Sequence, residues 1–134
     1  MKNAALLQSL YDRLSTYTDL TDLVVGVYSK KPQDEDDSRF PYVVIGDFNG
    51  SPWDTDDTVG QQVLVQVHVF SRSTSDLQRL GITDEIYNAL NRYDLQITGV
   101  NTVDCLYDNY LEFDDPDGKT THGVVTFRVT YDGG

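Results

Sequence analysis

The stretch "QQVLVQVHVF", residues 61 to 70, alternates without a break. Val63, Val65, Val67 and Val69 share one face of an extended chain, while Gln62, Leu64, Gln66, His68 and Phe70 share the other. This pattern predicts a strand with a covered all-Val face and places His68 beside Gln66 on the opposite side. Two longer stretches repeat the logic. "VDCLYDNYLEF", residues 103 to 113, lines up Val103, Cys105, Tyr107, Asn109, Leu111 and Phe113 on one face. "HGVVTFRVTY", residues 122 to 131, does the same with Gly123, Val125, Phe127, Val129 and Tyr131. Between them "DDPDGKT" sets Pro116, Asp117 and Gly118 where a turn needs them, which predicts a long C-terminal β-hairpin.

Helical spacing occurs twice. Leu6, Leu7, Leu10, Tyr11, Leu14 and Tyr17 recur every three or four residues, predicting an amphipathic helix over 4–17 that ends before Asp19 to Asp22. Ser75 and Gln78 form a capping-box signal ahead of Leu77, Leu80, Ile82, Ile86, Ala89, Leu90 and Tyr93. That helix should end between Asn91 and Asp94, and Gly81 costs it roughly 1 kcal/mol against Ala. "LVVGVY", 23–28, reads as a strand, and Pro41 opens another from Tyr42 to Phe48. "SKKPQDEDDSRFP", with acids from Asp34 to Asp37, reads as a polar loop, as do "NGSP" at 49–52 and "WDTDDTVG" at 53–60. "LQITGV", 95–100, reads as a short strand or edge. The expected fold class is α+β: a mainly antiparallel β-sheet with two α-helices packed on one face. With no linker, repeat or low-complexity segment, residues 1–134 should form one domain.

Charge and chemistry narrow the function classes. Lys and Arg number 10 against 22 Asp and Glu, a net charge of −12 and a pI near 4.2. Such a surface repels phosphates, which argues against a free-standing nucleic-acid binder. The single Cys105 leaves no internal disulfide framework. "MKNAALLQSLYDRL" is interrupted by Gln8, Ser9, Asp12 and Arg13, unlike a signal peptide, and no apolar run approaches a membrane span. The chain reads as soluble and made in a cytoplasm.

Candidate chemistry is sparse. The loop with Asp54 and Asp56 resembles a calcium loop only in its oxygens, because Val59 and Val65 stand where glycine and Glu are needed. His68 and His122 sit singly on strands without a ligand at metal spacing, and Cys105 lies on a core-facing side. No nucleophile elbow, phosphate-cradling loop or dinucleotide fingerprint is present. The acids occupy loops expected to be wet, where burial cannot move a pKa. The expectation is no enzyme, no cofactor and no metal. Tyr107 and Tyr110, by strict alternation, point to opposite faces, so at least one should lie outside the core; Trp53, at a loop tip, is either a contact residue or folds back onto its own sheet edge.

The order of these features resembles a known family. An N-terminal helix leads to "LVVGVYSKKPQD", then "FPYVVIGDF" and "WDTDDTVGQQVLVQVHVFSRS". A helix with "ITDEIYNAL" follows, and the chain ends in "DDPDGKTTHGVVTFRVTY". Over nearly the whole chain this is similar to the tail-completion, or tail-terminator, proteins of long-tailed bacteriophages and prophages. The loop departs from the family pattern in being acidic at Asp56 and Asp57. The resemblance implies a virion protein of the tail and neck, assembled in the host cytoplasm. Such proteins form a ring, commonly a hexamer, that caps the tail tube, ends its polymerisation and offers a surface to the head-tail connector. The implied partners are further copies of the chain, the tail tube protein and the connector, with DNA passing through unbound. The candidate subunit or tube contacts are Trp53, Asp54, Arg72 and Tyr110, with His68 as scaffold. A neck adaptor bound to the connector is the alternative. An acidic DNA mimic fits less well, since the acids cluster in loops at 34–37, 54–57 and 114–117 rather than in regular rows.

Overall fold

A computed structural model describes residues 1–34 and 36–133, apart from the side chain of Val103. Helices α1 (Asn3–Thr16) and α2 (Thr18–Thr21) precede strands β1 (Gly26–Tyr28), β2 (Tyr42–Pro52) and β3 (Gly60–Ser71). Helix α3 (Asp76–Leu90) then leads to the hairpin of β4 (Asn101–Asp114) and β5 (Thr121–Asp132). The five strands form one sheet ordered β1-β2-β3-β5-β4, antiparallel except where β1 runs parallel to β2. The fold is α+β as expected, with the long C-terminal hairpin at one side.

The all-Val face of β3 decides where the core sits. Val63, Val65, Val67 and Val69 are buried, as are Val125, Phe127, Val129 and Tyr131 beside them on β5. Leu6, Leu10 and Leu14 of α1 and Ile82, Ile86, Ala89 and Leu90 of α3 cover this face from one side. Each fully buried aliphatic side chain contributes roughly 1.5–3 kcal/mol of transfer free energy, so this layer dominates cohesion. The other face carries a smaller cluster, Tyr42, Val44 and Phe70, with Tyr28 and Phe40 packed against it.

Several local readings are corrected. The first strand is only Gly26–Tyr28, because Leu23 and Val25 lie outside the ladder and are exposed. β2 runs on through "NGSP" to Pro52, expected as loop, because a register shift between Ile45 and Phe48 lets it stay paired with β3. Residues 95–100 form no strand; Leu95 and Ile97 are pinned in the core as irregular chain. The capping box is half made. Ser75 Oγ accepts from Leu77 N at 3.2 Å, but Gln78 turns away and accepts from Ser71 Oγ at 2.6 Å. On α3 the buried side is Arg79, Ile82, Thr83, Ile86, Ala89 and Leu90, while Leu77 and Leu80 face solvent.

The largest correction concerns β4. A bulge between Tyr107 and Asn109 inserts one residue, so Tyr107 faces Phe127 and Tyr110 faces Val125. Both tyrosines therefore lie on the helix-covered side, not on opposite faces. Asn109, Leu111 and Phe113 pass to the other side, opposite Thr126, Val124 and His122. Two earlier readings, the face of the Val103 side chain and Glu35 within the acidic run, fall outside what the structure describes.

Candidate functional site

Trp53 closes the β2–β3 hairpin rather than crowning it. Its N–H donates to the Gly60 carbonyl at 3.0 Å, and its half-buried ring lies over Gly60. A Cβ on Gly60 would collide with the Trp53 carbonyl and lie 2.8 Å from the Tyr131 carbonyl and 3.0 Å from the indole. Asp54 serves the same turn: its Oδ1 accepts from Gly60 N at 3.2 Å. Thr55 N donates to Thr58 O at 2.9 Å across the tip. The exposed part of this projection is 54–59, with Asp54, Asp56, Asp57 and Val59 outward.

Arg72 is a clasp at the opposite end of the sheet. Its guanidinium pairs with Asp37, lies 3.5 Å from Asp117 and donates through Nε to Thr120 Oγ1 at 3.0 Å. It also stacks 4.0 Å from the Phe40 ring centre, and only 12% of its side chain is exposed. Asp117 in turn accepts from the Thr120 hydroxyl and from the Lys119 and Thr120 N–H groups. These bonds, the hydroxyl's first, hold its carboxyl well below the usual carboxylate range.

Tyr110 belongs to a polar cluster over the helix-covered side. Arg79, 5% exposed, donates to Tyr110 Oη at 3.1 Å, Asp76 at 3.1 Å and Glu112 at 2.7 Å. Tyr110 Oη donates to Glu112 at 3.0 Å, and burial pushes its phenol pKa up. The ring lies close over Gly123, where a Cβ would come within 2.8 Å of the hydroxyl oxygen. Arg72 and Tyr110 thus hold segments of their own chain together, and the four candidate residues do not form one site. Beside Tyr110, a cavity of about 320 Å³ between α3 and β4 is lined by Leu80, Thr83, Tyr87, Tyr107 and Val125.

The histidines, read singly from sequence, are brought together. His68 Nδ1 and His122 Nε2 lie 2.7 Å apart, a hydrogen bond between neighbouring strands. Asp47 lies 3.7 Å beyond His68 and Asp115 lies 3.7 Å beyond His122, making a linear row rather than a convergent ligand set. Phe70 stacks on His122 at 4.2 Å and Phe113 lies at 4.4 Å. Burial lowers the pKa of both rings. His122 falls to about 4, the proximity of His68 and then Lys31 adding to the effect. Among the described residues no three His, Cys, Asp or Glu side chains gather as a metal site. Burial, and then Asp104, pushes the Cys105 thiol up to about 12, far from a thiolate nucleophile.

Comparison with known proteins places this scaffold. From residue 8 to residue 132 the sequence matches the family described as "Tail completion protein gp17". The tail completion protein gp17 of Bacillus phage SPP1 is 27% identical over 130 residues, spanning 97% of this chain and 94% of that protein. The solved structure of bacteriophage SPP1 gp17 superposes with a TM-score of 0.61 at 25% identity, over 95% of this chain and 88% of that one. A chain in the virion of a native gene transfer agent particle shares the fold more closely, with a TM-score of 0.90 over 98% of both chains at 17% identity. The family match runs from within α1 to the last strand, and the chain belongs to the tail completion protein gp17 family of bacteriophages.

Proposed function

We propose that this tail completion protein works by forming a ring, of six copies, that caps the tail tube, stops its polymerisation and presents a surface to the head-tail connector. The observation that carries the reading is the end-to-end family match, residues 8–132, over a scaffold whose polar clusters serve its own packing. Ring formation needs contacts in which one patch of each copy meets a different patch of the next. The β2–β3 projection at 53–59 is the segment we assign to tube contact, with Trp53 and Asp54 setting its shape. Arg72 and Tyr110 act by holding contact-bearing segments in place. DNA passes through the hole without specific binding, in keeping with the net charge of −12. A hole lined by Lys and Arg in the assembled ring would sink that last point.

The test is the solution mass by light scattering with negative-stain images, followed by addition to polymerising tail tubes. Rings of about six subunits, and tubes that stop growing when the protein is added, are expected. A protein that leaves tube length unchanged and binds only the connector would instead be a neck adaptor.

A further inference from the structure

Among the described residues the sheet ends on two strands with no strand beyond them: β1 pairs only with β2, and β4 only with β5. The registers put these two edges at the same level. One cross-sheet row runs Gly26, Tyr42, Phe70, His122, Phe113, and another runs Tyr28, Val44, His68, Val124, Leu111. Residues 26–28 and 111–113 are therefore opposite ends of shared rows. The early part of β4's outer edge is already occupied, since Arg92 N donates to Cys105 O at 2.7 Å and Tyr107 N to Asn91 Oδ1 at 2.9 Å. From residue 108 onward that edge has no such cover among the described residues.

The two edges are chemically complementary. Residues 104–115 carry Asp104, Asp108, Glu112, Asp114 and Asp115 and no Lys or Arg, whereas residues 23–33 carry Lys30 and Lys31 and no acid. Each edge also exposes apolar side chains, Leu111 at 60% and Phe113 at 51% on one, Leu23 at 45% and Val25 at 57% on the other. Solvated edges seldom carry such residues. Direction agrees as well. β1 runs with β2, and three antiparallel steps separate β2 from β4, so β1 and β4 run in opposite senses.

We infer that residues 111–114 of one copy pair antiparallel with residues 25–28 of the next, carrying the sheet from subunit to subunit. The inference rests on the ring reading above and names its contact. Copies related by rotation keep the same orientation, so every junction is alike and the contact is heterologous. The pleat then sets Gly26 and Tyr28 on the same face as Leu111 and Phe113, with Lys30 beyond the paired segment on the side of Asp108.

The test combines a cross-link with a charge swap in the full chain. A Tyr28→Cys, Leu111→Cys double variant should give a ladder of disulfide-linked species ending at the ring, while either single variant gives none. Asp108→Lys and Lys30→Asp should each raise the concentration for half-assembly about tenfold, and the double reversal should restore it. Rings that form normally but show no 28–111 cross-link and ignore the charge reversals overturn this junction alone. Wild-type chains that stay monomeric both in solution and on tail tubes overturn the ring reading, and the junction with it.

Discussion

Arg72 reaches residues 35 positions before it and 48 positions after it, and no local pattern announces either partner. Its value lies in the planar fork, which satisfies Asp37, Thr120 and the Phe40 face together. Arg72→Ala should cost about 2–3 kcal/mol of unfolding free energy, read from urea melts. Arg72→Lys should recover only a minor share, and full recovery would show that charge alone matters. Gly60 is a second such position. A methyl group there meets the Trp53 and Tyr131 carbonyls, which are backbone and cannot swing aside. Gly60→Ala should lose about 2 kcal/mol and red-shift the emission of Trp53, the only Trp. Trp53 was legible as a loop residue that either makes contacts or folds back onto its own sheet edge; that it folds back, and onto Gly60, was not, because sequence does not show which way a loop folds.

At the scale of elements, strict alternation located the hairpin but misjudged the far half of β4. One inserted residue near Asp108 exchanges the faces of everything after it, so a correct strand was read with half of its side chains reversed. The histidine pair joins β3 to β5 and gives the fold a pH dependence. Both folded-state pKa values lie below the ordinary value of 6.5, so the unfolded chain binds more protons as the solution is acidified. The pair's contribution is fully present above about pH 6.5 and is lost as pH falls toward His122's value of about 4. Asp47 favours protonation of His68, whereas His68 and then Lys31 oppose protonation of His122, which has Asp115 at 3.7 Å. Urea stability of the wild type should therefore drop more steeply between pH 7 and 4.5 than that of a His68→Gln, His122→Gln double variant. Equal slopes in the two proteins would remove the pair from the account.

For the whole molecule, α1, α3 and one sheet face share a single apolar cluster that reaches from Leu6 to Tyr131. The chain should accordingly unfold in one step, with Trp53 emission and far-UV circular dichroism giving the same midpoint. Two separated transitions would divide the proposed single domain. Among the described residues the same architecture leaves β1 and the later part of β4 without a strand partner on their outer side, which is what the proposed junction between copies requires.

Sequence alone determined the periodic elements: the all-Val strand, two amphipathic helices, the hairpin turn at Pro116 to Gly118, and an order of segments that resembles the tail-completion family. Those signals are local, since side chains two or four positions apart share a face whatever the rest of the chain does. Tertiary structure alone decided that β5 inserts between β3 and β4, that His68 meets His122 across 54 positions, and that Arg79 is buried among carboxylates. Strand order, bulges and buried polar pairs arise from packing between distant segments, and a single sequence carries no periodicity at that distance.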